Sequence, residues 1–526
     1  MAEQEYPPEL SEERLTSLDW QVNHGSLLKL VQTETEHSVL SQPVGVSVSN
    51  LVHYPGIILT CRQCFPTKFP RAHFQQALDI QKIYNKLYCA VAEDEEYLHN
   101  AIKDLLPVEP LANALWGIYN RAKKAGSVQD ISAGIFRSDY MLHVDDPSDS
   151  LDPLSNTTLK QVEFNSFSCA GATHANKVGD MHRYLTRRGV YNVDETPLDL
   201  ASLPINKNVE SLVSCLTLAH DTYGPPRSNV AKETAVLFLV QPTNFNIADE
   251  RPIEYGLWNR DKPVPAYRLE FGPDVLQHTL LTESRELLFQ PPWLESADPM
   301  EISVVYLRAG YEAWEYDQTG LDARLRLEKS TAIKCPSLLG HITTFKKIQQ
   351  ALTQPGALER FLTDPEAATI RETFVPVYPL DESKEGLHAR DLAGNPDTAE
   401  NFILKPSLEG GGHNVYGQDI PGFLASISES QWSSYILMER IQPPIQSNLL
   451  MGPAGIDGGE VVSELGVLGT CLWRRTSEGP CEMLDSSVGG WTFKTKYADV
   501  DEMSVVKGYG CFDTPYLVAS AELVGP

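Results

Sequence analysis

Phe402-Ile-Leu-Lys-Pro-Ser-Leu-Glu-Gly-Gly-Gly-His-Asn-Val-Tyr-Gly417 is the stretch on which the reading of this chain turns. An apolar strand runs straight into a lysine, an acid and three glycines. Gly410, Gly411 and Gly412 let backbone N–H groups close on phosphate oxygens, because no side chain blocks the approach. Lys405 at the strand end offers positive charge to those phosphates, and Glu409 beside the loop is placed to reach a magnesium ion bridging them. The spacing is not that of a P-loop, since no GxxxxGKS/T run is present and Lys405 precedes the glycines. A dinucleotide-binding turn is disfavoured for the same reason.

Around this loop, Phe402–Leu404, Tyr435–Glu439 and Val461–Leu468 read as strands, and Thr344–Leu352 and Ala357–Leu362 as helical runs. Upstream, Gly134–Met141 and Lys160–Asn165 flank the Asp-, Pro- and Ser-rich stretch Asp145–Asn156, the composition of a connection between two strands. The alternation Glu163-Phe-Asn165 puts a carboxylate and an amide on one strand face. Ala235–Val240 is apolar throughout and, with Ile302–Leu307, predicts strands buried on both faces, hence an α/β lobe at 225–335 that ends near Lys334-Cys335-Pro336. It divides the chain into 1–224, 225–335 and 336–526. Phe74, Leu78, Ile83, Leu87 and Ala90 mark helical structure over 73–105, and Val209, Leu212, Leu216 and Ala219 mark another helix closed by Gly224-Pro225. No internal repeat is visible.

The chain has 526 residues, ample for a stable core, with 42% apolar and 21% charged residues, the balance of a globular protein rather than a disordered one. Its net charge of −27 repels nucleic acid and anionic membranes. An anionic nucleotide would therefore need metal ions and a few focused cations. The acidic, apolar-poor start is unlike a leader peptide, no run approaches a membrane span, and nine scattered cysteines suit a reducing compartment, so a cytoplasmic location is expected. Cys61-Arg-Gln-Cys64 is an isolated CxxC that reads as ordinary thiols rather than as a metal or redox motif.

The loop Lys405–Gly417 resembles the K-P-x-x-E-G-G-G-N-N-x-Y-G loop of the eukaryotic glutathione synthetases, members of the ATP-grasp superfamily. Arg137-Ser-Asp-Tyr-Met141, Lys160-Gln-Val-Glu-Phe-Asn165, Val304–Tyr311, Ile333–Pro336, Tyr435–Glu439 and Ser463-Glu-Leu-Gly466 follow in the family's order, so the similarity spans about 130–515. It implies an α/β ATP-grasp architecture with an inserted substrate lobe, ATP and Mg2+ as cofactors, small-molecule substrates and a homodimer. By resemblance, Glu163, Asn165 and Glu409 hold the metal. Lys334, Lys405, Lys496, Glu464, Asn414, Glu502 and the three glycines contact the nucleotide's phosphates or their surroundings. Met141, Tyr416, Met438, Glu439 and Ile441 surround adenine and ribose. Arg137 borders the centre where a carboxylate becomes an acyl phosphate before an amine attacks it. Ser168, Arg308 and Tyr311 match positions that hold a γ-glutamyl substrate.

Departures from the family pattern fall in substrate positions. Against the family's E-R-N-I-F-D-Q, Asn244 replaces a glutamate and Glu250 a glutamine. Ala170 stands where a serine is usual, and Lys494 where an arginine receives the acceptor carboxylate, which loses a bidentate fork. The lid G-G-V-A-A-G becomes Met503-Ser-Val505-Val506-Lys507-Gly508, bulkier and charged. Three functions stay open: a glutathione synthase, a ligase joining a different acid and amine, and an idle relative that binds or regulates. Retention of the metal and phosphate residues argues against the third.

Overall fold

The computed structural model describes residues 20, 24, 27–29, 39–41, 44–47, 66–145, 153–191, 198–242, 244, 246–293, 298–407, 413–452, 455–477, 479–503, 505 and 510–519. Cys61, Cys64, Glu409, Gly410, Gly411, Gly412, Val506 and Lys507 lie outside these residues.

The predicted helical stretch 73–105 is two helices, α1 (Arg71–Ala92) and α2 (Glu95–Ile102). The break has a local cause: the Asp94 carboxylate accepts from the Tyr97 amide at 2.9 Å and caps the second helix. The hairpin expected across 145–156 is present as strands β1 (Ile131–Val144) and β2 (Thr157–Asn165), antiparallel with Arg137 opposite Asn165. Helix α3 (Ala172–Arg187) follows, then α4 (Asn208–Tyr223), which ends at Gly224 with φ +87°.

The segment 225–335 supplies β3 (Thr234–Val240), β4 (Ala266–Glu270), β5 (Met300–Leu307) and β6 (Ile333–Cys335). They run parallel in the order β4-β3-β5-β6, and every residue of β3 and β5 is buried, Thr234, Glu301 and Ser303 included. Helix α5 (Ile247–Trp258) follows β3 and carries Pro252 within it.

A smaller antiparallel sheet contains β7 (Val377–Pro379), β8 (Phe402–Pro406), β9 (Val415–Tyr416) and β10 (Tyr435–Glu439), ordered β7-β10-β8-β9. Helix α6 (Lys346–Leu352) matches the expected run, whereas 357–362 holds only one 3-10 turn, Leu358–Arg360. The long strands β11 (Gly455–Arg474) and β12 (Glu482–Tyr497) pair with each other, and β11 pairs with β1 over Ile131–Tyr140.

The opposite edge of β1 is shared. Near its start Ser132 pairs with Lys334 of β6, and from Arg137 onward it pairs with β2. The large sheet therefore forks beside Arg137 into a parallel wing and an antiparallel wing. A fork leaves strand ends and their side chains without a neighbouring strand, which opens a crevice there. Among the described residues, no helix is long and apolar enough to cross a membrane.

Candidate active site

A cleft of about 310 Å³ lies between the small sheet and the antiparallel wing, a size suited to a small-molecule ligand. Ile403, Lys405 and Tyr416 of the small sheet form one wall. Arg137, Glu163 and Asn165 of the hairpin, with Glu464, Lys494 and Lys496 of β11 and β12, form the other. Residues more than three hundred positions apart thus converge because two sheets face each other.

Lys405 is 4% exposed and donates to the Val162 carbonyl at 3.0 Å. Burial lowers its pKa, against the opposing pull of Glu163. For Glu163 the same burial would raise the carboxyl, yet Lys346, Lys405 and Arg137, with the Asn165 amide, hold it well below the usual carboxylate range. The Lys346 ammonium is 3.5 Å from Glu163. Lys346 heads α6 and is a cleft residue that sequence reading missed. Its signal was present, as a lysine in Phe345-Lys-Lys347, but nothing in that pattern says which lysine faces a cleft.

Lys334 is not brought to this cleft. Ile333 and Cys335 pack with Ala133 and Ile135, on the face of β1 that continues into Arg137. Lys334 therefore points to the other side of the sheet, where it donates to the Ser330 carbonyl at 3.0 Å and burial pushes its pKa down to about 8.

Glu163 and Asn165 present two hard oxygen donors side by side. The Asn165 amide nitrogen donates to Glu163 at 3.1 Å and Asp139 at 3.2 Å, which leaves its carbonyl oxygen for a ligand. This set fits magnesium, which takes few protein oxygens and keeps water and phosphate. Among the described residues no three His, Cys, Asp or Glu side chains gather as a metal site.

At the lid side, the Asn414 amide donates to Glu502 at 3.2 Å and to the Tyr416 hydroxyl at 3.3 Å. This ties the end of the glycine loop to the segment before the lid. Lys494 forms an ion pair with Glu464, both largely buried. Burial raises the Glu464 carboxyl while Lys494 pulls it down. The Lys496 ammonium donates to the Val500 carbonyl. Met141 lines the cleft, whereas Met438, Glu439 and Ile441 stand on or just after β10, beyond its lining. Val505 is not a cleft residue: it is 7% exposed and packs with Ala175, Val178 and Phe512.

The remaining predicted substrate residues form an adjoining cluster. Ser168 lines the cleft with φ +48°, a left-handed backbone uncommon for serine, and its hydroxyl donates to the Arg308 carbonyl at 3.3 Å. Arg308 is 2% exposed and turns inward, with Nε 3.2 Å from Glu250, Nη2 3.4 Å from Asp249 and Nη1 donating to the Cys169 carbonyl. Asn244 donates to Glu250 at 2.6 Å, so the exchanged amide and acid of the family motif still touch. The Tyr311 hydroxyl donates to Gln241 at 2.7 Å. Asp249 also accepts from the Gly171 and Thr173 amides at 3.0 and 2.9 Å, fixing the loop that leaves the fork.

The chain is similar to known proteins over most of its length. The family profile of the eukaryotic glutathione synthase ATP binding domain matches residues 9–517. The glutathione synthetase large chain of Schizosaccharomyces pombe is 34% identical over 461 residues, covering 85% of this chain and 88% of its own length. The glutathione synthetase of Dictyostelium discoideum is 30% identical over 516 residues, covering 96% and 100%. A solved structure, the apo form of a glutathione synthetase-like effector from Globodera pallida, superposes with a TM-score of 0.70 over 98% of each chain at 20% identity, a likeness of fold. With a family match over nearly its whole length and a relative 34% identical over most of both chains, this chain belongs to the eukaryotic glutathione synthase family.

Proposed function

We propose that the protein is an ATP-dependent carboxylate-amine ligase that joins γ-glutamylcysteine to glycine. The observation that carries this reading is the convergence of Arg137, Lys346, Lys405, Lys494 and Lys496 with Glu163 and Asn165 in one cleft of a strongly acidic protein. Such focused positive charge suits a triphosphate and a substrate carboxylate.

Glu163, Asn165 and Glu409 are assigned to magnesium, which when bound neutralises charge on the phosphates undergoing transfer. Lys405 and Lys346 hold the phosphates from opposite walls, with Lys346 taking the role that sequence reading gave to Lys334. Asn414 and Glu502, hydrogen-bonded to each other, border the nucleotide together with the loop glycines Gly410, Gly411 and Gly412. Tyr416 and Met141, which line the cleft, face adenine and ribose, Met438, Glu439 and Ile441 extend that side beyond the lining, and Glu464 and Lys496 complete the nucleotide's surroundings. The substrate carboxylate attacks the γ-phosphorus and ADP leaves; the amine then attacks the acyl carbon, loses a proton, and phosphate leaves. Arg137 supplies donors to the oxygens whose charge grows in both steps. Ser168, Asn244, Glu250, Arg308 and Tyr311 shape the γ-glutamyl side, and Lys494 and Val506 the acceptor side, with Val505 packed in the core rather than on the acceptor. The segment 225–335 is the substrate-binding lobe, between parts 1–224 and 336–526 of the ATP-grasp body. A homodimer and a cytoplasmic location follow by family analogy, and the free cysteines suit a reducing compartment.

One observation favours a second reading, in which the amine is not glycine. Lys494 already pairs with Glu464, so its charge is half spent before an acceptor carboxylate arrives. ADP release with γ-glutamylcysteine and glycine, measured beside other amines, tests both. Turnover with glycine at ordinary concentrations supports the first reading, turnover only with another amine supports the second, and no turnover with any pair rejects both.

A further inference from the structure

The cleft-facing side of the hairpin carries four polar side chains in two cross-strand pairs, Arg137 opposite Asn165 and Asp139 opposite Glu163. Two carboxylates facing each other across a hairpin repel. Separate cations relieve this: Lys346 stands beside Glu163, and Arg137 grips Asp139 with a fork, Nε to Oδ1 at 2.6 Å and Nη2 to Oδ2 at 2.7 Å. Nη1 of Arg137 donates to the Ala170 carbonyl at 3.0 Å. A guanidinium has five N–H groups, so these three contacts leave two for a reacting group and fix where they point.

Asp139 also acts on Asn165. Its Oδ2 and Glu163 Oε1 both accept from the Asn165 amide nitrogen, which orients the amide oxygen away from the two carboxylates. Asp139 is 1% exposed and, unlike Lys405 and Asn165, is not part of the cleft lining, so it acts through its neighbours. A separate observation marks the same spot. Gly466 of β11 lies directly opposite Asp139, and a Cβ there would collide with Thr492 Oγ1 and come within 2.5 Å of Asp139 Oδ1 and 3.0 Å of Arg137 Cδ. The glycine of Ser463-Glu-Leu-Gly466 therefore leaves the space that the fork fills.

We propose that Asp139 is a positioning residue that sets two groups at once, the free donors of Arg137 and the amide oxygen of Asn165, with Gly466 as the gap that admits it. This rests on reading the cleft as a ligase centre. Asp139→Asn puts an NH2 where one acceptor oxygen stands, so either the fork or the Asn165 orientation is lost. Gly466→Ala keeps every charge but displaces the pair. Residues that orient metal ligands typically change metal affinity about 10–100-fold when altered.

Both variants and the wild type would be tested for Mn2+ binding, by water proton relaxation with a non-hydrolysable ATP analogue, alongside kcat, KM for ATP and thermal melting. The expected result is a fold that melts cooperatively, roughly tenfold weaker Mn2+ binding, kcat lowered about a hundredfold, and KM for ATP within about threefold. Wild-type Mn2+ affinity and kcat in either folded variant would overturn the proposal. So would failure of both variants to fold, which would make the pair a structural element. If the wild type turns over no acid and amine at all, the ligase reading fails, while Mn2+ binding still judges Asp139.

Discussion

Exchanging Lys346 for methionine, with Lys334→Met as its counterpart, asks which lysine serves the phosphates. The Lys346 ammonium stands 3.5 Å from Glu163 in the cleft wall. At an effective dielectric near 20 the gross attraction at that distance is roughly 5 kcal/mol, and after desolvation a charged contact nets about 1.5–3 kcal/mol. Lys346→Met should thus weaken binding of an ATP analogue with Mg2+ by roughly ten- to a hundredfold. Lys334 faces the other side of the sheet, and burial pushes its pKa down to about 8. Holding it charged at pH 7 costs roughly 3 kcal/mol. Lys334→Met, similar in volume, should then leave nucleotide affinity within about threefold and melt no lower than the wild type. Isothermal titration calorimetry and a melting scan at pH 7 suffice. A tenfold affinity loss in Lys334→Met, with none in Lys346→Met, would refute this placement of the two lysines.

Glu163→Gln keeps the shape of a partly exposed side chain but removes its charge, so ADP release should fall at least about a hundredfold while the melting temperature holds; normal turnover would exclude Glu163 from the metal. Lys494→Arg should lower KM for an amino-acid acceptor about tenfold, because a fork can keep Glu464 and still offer two donors; an unchanged KM would remove position 494 from the acceptor's carboxylate. Burial pushes the Asp513 carboxyl up to about 7, against hydrogen bonds from Thr67, Thr514 and Thr495. The folded state therefore holds its proton more tightly than the unfolded one. The stability this contributes is full below about pH 4 and is lost, at on the order of 1.4 kcal/mol per pH unit, as pH rises towards 7. The melting temperature of Asp513→Asn relative to the wild type should accordingly climb between pH 5 and pH 8, and a constant difference would count against that assignment.

Much of the fold was legible because it rests on local rules. The unbroken apolar run Ala235–Val240 and the mostly apolar Ile302–Leu307 point to burial on both faces, and the alternation at Glu163 and Asn165 places both on one face of a strand. The apolar strand that carries Lys405 marked one wall of the cleft. Periodicity also says that Lys334 and its neighbours alternate between faces, but not which face looks into a cleft. That depends on which strands flank β1 at each point along it, and the fork moves Lys334 away from the opening while α6 brings Lys346 to it. Charge compensation was equally hidden. Arg308 looks like a substrate clamp in sequence, yet Glu250 and Asp249, about sixty positions earlier, turn its guanidinium inward. Asp139 reads as one more strand residue until Asn165, 26 positions later, and Gly466 of a distant strand meet it. Hydrophobic burial is specified residue by residue along the chain, whereas the partner of a buried charge is decided only when separate strands come together within a few ångströms.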